Sequence, residues 1–228
     1  MHGHVTEQAT PGTFELGLVI ERSRSLISGS KRYGLYLLLT ATGILMLLSG
    51  LTILLFGAEP DNLIGPWWWE VAITAFFAGI TAMMGVAFGL YRAQGIPLTY
   101  GRLFDFMATL WPLLVIAFPA AYLSLLAEGT TNFLLAFVIP LVLYPVTFVP
   151  YFMVDRQLGP LQALGQAFEL VLRNVGQFVL FVLLLAALSV LSVFTLGIGF
   201  IWVLPFALIA NAVIYDEAVG IVSVQARA

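Results

Sequence analysis

The sequence predicts an all-α fold, a polytopic helical membrane protein that crosses the bilayer six times. Three observations carry that expectation. Of 228 residues, 61% are hydrophobic and 9% are charged, against roughly 45–50% and about 25% in an average soluble domain. The mean hydropathy is +1.02. The apolar residues gather into six long runs, and all 9 Lys and Arg residues fall in the intervals on one side of them. Such a chain lacks the polar surface of a soluble enzyme. With a net charge of −3 and no basic cluster, it offers nothing to a nucleic acid.

A spanning helix needs about 20 mostly apolar residues, because a hydrocarbon core about 30 Å thick is crossed at 1.5 Å per residue. The first run, residues 33–56, holds no charge. The second, 71–91, follows Pro66, Trp67, Trp68 and Trp69, which read as an interfacial belt with the indole rings in the apolar edge and the N–H groups wet. The third is 106–127 and the fourth 131–154. The fifth, 175–195, and the sixth, 199–215, are nearly continuous, and Gly197 and Gly199 mark the turn between them. One helix of that combined length would overshoot a single crossing, so two spans are expected.

Charge placement sets the orientation. Arg22, Arg24, Lys31 and Arg32 precede the first span; Arg92 and Arg102 follow the second; Arg156 and Arg173 follow the fourth; Arg227 follows the sixth. The opposite loops carry Glu59, Asp61 and Glu128, with Glu70 heading the second span. Lys and Arg stay on the cytoplasmic side, which puts both termini in the cytoplasm. The domain plan is a cytoplasmic tail and interfacial helix over 1–32, one membrane domain over 33–215, and a cytoplasmic tail over 216–228. The first dozen residues are polar and lack the basic-then-apolar order of a signal peptide, so none is expected.

Two cytoplasmic segments have helical amphipathicity. In residues 160–173, Gln162, Gln166, Glu169 and Arg173 form a polar stripe opposite Leu161, Leu164, Phe168, Val171 and Leu172, which predicts a helix lying in the interface with Pro160 in its first turn. Residues 14–28 show a weaker version, and a short third piece covers 98–105. Three units of surface helix plus hairpin result, and duplication or independent hairpin insertion would each give that layout.

Chemistry-bearing groups are few. Cysteine is absent, and both histidines, His2 and His4, lie in the N-terminal tail without further ligands of metal-site spacing. No cofactor, metal or catalytic constellation is expected, so the chain reads as a non-enzyme. Glu70 is the ionisable residue nearest a span and a possible polar or pathway group. Gly85-Val-Ala-Phe-Gly89, with Thr81 one turn earlier, makes a small-residue face for close helix packing. Its partner is either another helix of the chain or a second copy. Pro112, Pro119, Pro140 and Pro145 stand inside spans three and four, with Pro150 and Pro205 further on, and each tends to kink its helix. The three prolines of span four predict a bent or locally unwound segment, the kind that lines a transport pathway. Asn211 in the sixth span is a candidate for hydrogen bonding between helices.

From residue 154 to residue 215, the order of Asp155, Leu-Gly-Pro-Leu-Gln-Ala-Leu (158–164), Arg173-Asn174, Gly197-Ile-Gly199, Pro205 and Tyr215 resembles a broad group of uncharacterised bacterial six-span inner-membrane proteins. That group is similar to the membrane domain fused to some glycerophosphodiester phosphodiesterases. The likeness covers the C-terminal third. It implies an inner-membrane protein with an envelope-related or unassigned role, and it supplies no site residues. The phosphodiesterase catalytic domain is absent, so no activity follows from it.

The function expected from these features is a non-enzymatic scaffold, accessory subunit or envelope-maintenance component. Its partners would be the lipid bilayer and other membrane proteins or a second copy of itself. The alternative is a small-molecule or lipid transporter or channel near spans three and four. A third reading, a lipid enzyme at the cytoplasmic surface, would need Asp105, Asp155 and Asn174 to converge. Topology has a direct test. Reporter fusions after Asp61 and after Glu128 are expected to report an extracytoplasmic location, and a cytoplasmic signal from either would refute six spans.

Overall fold

The computed structural model describes residues 11–28, 68–128, 139, 141–195 and 198–222, with scattered positions between 32 and 46. All regular elements among these residues are helical. Four runs are long and apolar enough to cross a membrane: Val71–Ala93, Gly101–Leu126, Val175–Phe194 and Phe200–Val219. Residues 141–155 form a shorter apolar segment. The expected first span, 33–56, apart from scattered helical positions, and the first part of the fourth, including Pro140, lie outside the described residues.

The chain enters in extended form over 11–15 and turns into α1 (Leu16–Leu26), which buries Val19 and Ser23. Helix α2 (Trp68–Ala93) takes in the predicted second span together with Trp68, Trp69 and Glu70. Its end is a Schellman closure: Ile96 N–H donates to the Tyr91 carbonyl at 2.8 Å and Gly95 N–H to that of Arg92 at 3.0 Å. Gly95 has φ +68°, a conformation that a β-carbon disfavours. Two 3-10 turns, Gly101–Phe104 and Met107–Thr109, lead into α3 (Leu110–Glu128). Pro112 therefore sits in the first turn of α3, where its missing N–H has no carbonyl to serve. Pro119 lies in the helix interior.

The run expected to be bent or unwound is a 3-10 helix, Tyr144–Phe148, with Pro145 at its start. It passes into α4 (Val149–Asp155), where Pro150 again falls in the first turn and every residue is buried. A helix buried all round can be apolar all round, as this one is up to its final aspartate. Helix α5 (Pro160–Arg173) follows and packs against the 144–155 segment. It is three-sided. Ala163, Ala167 and Leu170 are buried, Leu161 and Leu172 are exposed, and Gln162 and Arg173 face a third direction. One residue, Asn174, separates it from α6 (Val175–Phe194).

Helix α6 is peripheral: Phe178, Phe181 and Ser192 are its buried residues, while Leu183, Val190 and Phe194 are among those exposed. Gly199 closes the turn to α7 (Phe200–Val219), and a β-carbon there would lie 2.5 Å from the Ser192 hydroxyl. Helix α7 runs four residues past the predicted end at 215. Asp216 and Glu217 are helical because the chain supplies them with partners, and Gly220, with φ +78°, makes the stop.

Helices α2 and α7 run parallel and in close register. A β-carbon on Gly85 would meet Leu208 at 2.9 Å, and one on Gly89 would meet the Leu208 carbonyl at 2.7 Å and Ala212 at 2.8 Å. Lipid is as apolar as leucine, so association within a bilayer depends on such close packing rather than on hydrophobic burial. The same substitution therefore has opposite signs at two sites. Gly89→Ala is expected to lose about 1–3 kcal/mol through overpacking. Gly165→Ala, on an open face of α5, is expected to gain about 0.5–1 kcal/mol. Unfolding midpoints in detergent would check both.

Candidate functional site

Several charged residues bond to the chain itself, Arg22, Arg92, Arg102, Arg156 and Arg173 among them. Arg22 of α1 reaches three groups. Its Nη1 donates to Glu217 at 2.6 Å, and its Nη2 donates to Asp216 at 2.6 Å and to the Ala93 carbonyl at 3.2 Å. Partial burial disfavours the charge of Arg22, and the two carboxylates outweigh it, so its pKa lies above the ordinary arginine value. Arg92 donates to the carbonyls of Leu26 and of Ser28, the latter at 2.8 Å. Arg102 donates to the Pro97 carbonyl at 2.6 Å and lies over the Tyr91 ring.

Asp155 ends α4 with its carboxylate fully buried. It accepts from the Tyr215 hydroxyl at 3.0 Å and from Val222 N–H at 2.9 Å. Its neighbour Arg156 pairs with it at 3.3 Å and donates to the carbonyls of Val219 and Gly220 at 2.7 and 2.9 Å. The Asp155–Arg156 pair is thus a buried tie at its acidic end. The Glu169–Arg173 pair is made at 2.7 Å, one turn apart on α5, and stays partly exposed.

Asn174 holds the extended N-terminal strap. Its side-chain oxygen accepts from Phe14 N–H at 3.2 Å, and its amide donates to the carbonyls of Gly12 and Leu170 at 3.0 and 2.9 Å. The carboxamide thereby pairs with the strap as a neighbouring strand would. Gly12 N–H donates to the Ala218 carbonyl at 2.7 Å, Arg173 to that of Pro11 at 3.2 Å, and Leu16 N–H to Gln177 at 3.4 Å. The Phe14 ring stands edge-on to Phe178 at 5.1 Å. Asp105, which accepts from the Tyr91 hydroxyl, Asp155 and Asn174 thus each serve a separate set of structural bonds.

Within the apolar zone, the predicted packing residues come together. Thr81, Gly85 and Asn211 border one cleft of about 390 Å³ between α2, α7 and the 144–155 segment, with Gly89 just beyond its wall. A second cleft, about 290 Å³, lies between α2 and α3 and shares Ala78, Ala82 and Thr147 with the first. Asn211 accepts from the Tyr144 hydroxyl at 2.8 Å, a bond between α7 and the 3-10 segment. Pro145 borders a third, apolar cleft beside α5 and α6; Pro112 and Pro119 line none of the three described clefts. Glu70 stands on the first turn of α2, and its side chain lies outside the described residues, as does Pro140.

Sequence reasoning missed Tyr144 and Gln177. A tyrosine between prolines in the middle of an apolar run is the signal that marked Tyr144, since its hydroxyl needs a partner there. Among the described residues, no group of three His, Asp or Glu comes together as a metal site. Fold and site together define a class: an all-helical protein whose four long apolar helices suit a membrane-embedded architecture. No family model, curated protein or solved structure matches the chain.

The Asn174 clamp gives a local prediction. Asn174→Ala strips partners from three backbone groups, two of them in buried bonds, at about 1–3 kcal/mol for each buried group left unmet. Amide exchange at Phe14 and Leu16 is expected to accelerate by at least tenfold, with α2 and α7 protected as before. Unchanged exchange at Phe14 would refute the clamp.

Proposed function

We propose that the chain is a six-span bacterial inner-membrane protein with both termini cytoplasmic, acting as a scaffold, accessory subunit or envelope-maintenance component rather than as an enzyme. The observation that carries this reading is the engagement of four of the polar layer's arginines within the chain. Arg22, Arg92, Arg156 and Arg173 all donate to the chain's own carboxylates or carbonyls, which leaves helix faces as the surface through which the protein acts. The outward face of α6, with Leu183, Val190 and Leu191 exposed, is the widest of these. The Gly12–Ala218 bond supports an even number of crossings between the two ends. The one-sided charge distribution supports a cytoplasmic location for that layer. Membership of the uncharacterised six-span group resembled in the C-terminal third fits the same role.

The transport reading has one observation in its favour, the unwound Tyr144–Phe148 segment beside two clefts. Their linings are mainly apolar or small, with the Thr81, Ser124 and Thr147 hydroxyls bonded to the chain's own backbone, and this suits a lipid better than an ion.

Photo-crosslinking in intact cells separates the two. A photoreactive residue at Leu183 or Val190 is expected to give discrete protein adducts, with none from the buried position Leu113. Lipid adducts alone from α6, together with a monodisperse monomer in mild detergent, would overturn the scaffold reading.

A further inference from the structure

Asn211 presents an unusual polar group for an apolar helix. Its oxygen accepts a hydrogen bond from the Tyr144 hydroxyl, so the carboxamide offers its amide nitrogen to other partners, and Asn211 borders the cleft. Among the described residues, no acceptor lies within hydrogen-bond distance of that nitrogen. The other polar groups around the cleft are satisfied. Thr81 donates to the Phe77 and Ala78 carbonyls at 3.0 Å, Thr147 to that of Tyr144 at 2.7 Å, and Tyr151 to that of Leu208 at 3.4 Å. An amide donor facing hydrocarbon without a partner is costly. The cleft therefore calls for an occupant that is apolar along its length and offers an acceptor at one end.

Depth identifies the acceptor. Asn211 and Asp216 share α7, five residues apart, so the amide lies about 7 Å below the charged layer at 1.5 Å per residue. The headgroup region of a bilayer is about 5–8 Å thick on each side, and the ester carbonyls of a glycerophospholipid lie at its inner edge. From Asn211 the cleft runs along α7 to Leu204, about 10 Å deeper, walled by Ala82 and Leu208. We infer that this cleft binds one acyl chain of a glycerophospholipid from the leaflet on the polar-layer side, with an ester carbonyl accepting from the Asn211 amide. The inference rests on the membrane reading and is independent of the scaffold role.

Native mass spectrometry of delipidated full-length protein tests it with dioleoylphosphatidylethanolamine and its diether analogue, which has the same headgroup and chain length but no ester carbonyls. The wild type is expected to retain the ester lipid about fivefold more than the diether, the worth of one hydrogen bond. Asn211→Leu is expected to bind the two alike. Thr81→Phe, which fills the cleft and leaves the Tyr144–Asn211 bond in place, is expected to retain neither. Equal retention of both lipids by the wild type overturns the inference, whether or not either variant folds, and so does full retention by Thr81→Phe. Failure of the membrane reading would appear separately, in the reporter fusions.

Discussion

The contact on which the arrangement depends is the three-way fork of Arg22, which joins α1 to the ends of α2 and α7. Each ion pair at a half-exposed site is worth under about 1 kcal/mol, so its importance is geometric. By tying Ala93 to Asp216 it sets the register of two parallel helices. In that register Gly85 and Gly89 fall opposite Leu208 and Ala212, where the absence of side chains lets the backbones close. A shift of one turn would place larger residues at the contact. It would also draw Asp216 toward hydrocarbon, where charge is expensive.

The second organising element is the 144–155 segment. Prolines at 145 and 150 forbid a continuous ladder of backbone bonds, and the chain responds with a 3-10 stretch followed by a fresh helix that opens on its own proline. The short helix is then free to sit at the centre of the core, against Tyr215, with its ring packed on Phe152 at 5.0 Å and on Tyr151 at 5.5 Å. Asp155 ends it by collecting the Tyr215 hydroxyl and the Val222 amide. An aspartate beside an arginine looks like surface in sequence; here it fastens the C-terminal end of the chain to the core.

What could be read from sequence followed from hydropathy and helical period. The helix at 160–173 and the fifth span came out within a residue of their structural limits because both are bounded by strong signals, Gly159-Pro160 and Asn174. The end of the last span was misplaced, since hydropathy stops at the first charge and cannot foresee that Arg22 will meet Asp216. The buried stripe of α5 was likewise missed: Ala163 and Ala167 carry little hydropathy, yet small residues are what a close packing seam uses. The strap's partners were beyond reach, because Phe14 and Asn174 are 160 residues apart and nothing local in either marks the pairing.

That separation bears on biogenesis. Residues 11–16 leave the ribosome well before their partners at 173, 174, 177 and 218. At about 5–20 residues per second, the strap waits many seconds for its seat to exist, and α1 waits equally long for Asp216 and Glu217. A nascent chain that stalls before α7 leaves the strap and the buried face of α1 uncovered. Closure of the strap therefore distinguishes chains in which α7 has been made from those in which it has not, by whether a protease or chaperone can still grip residues 11–16.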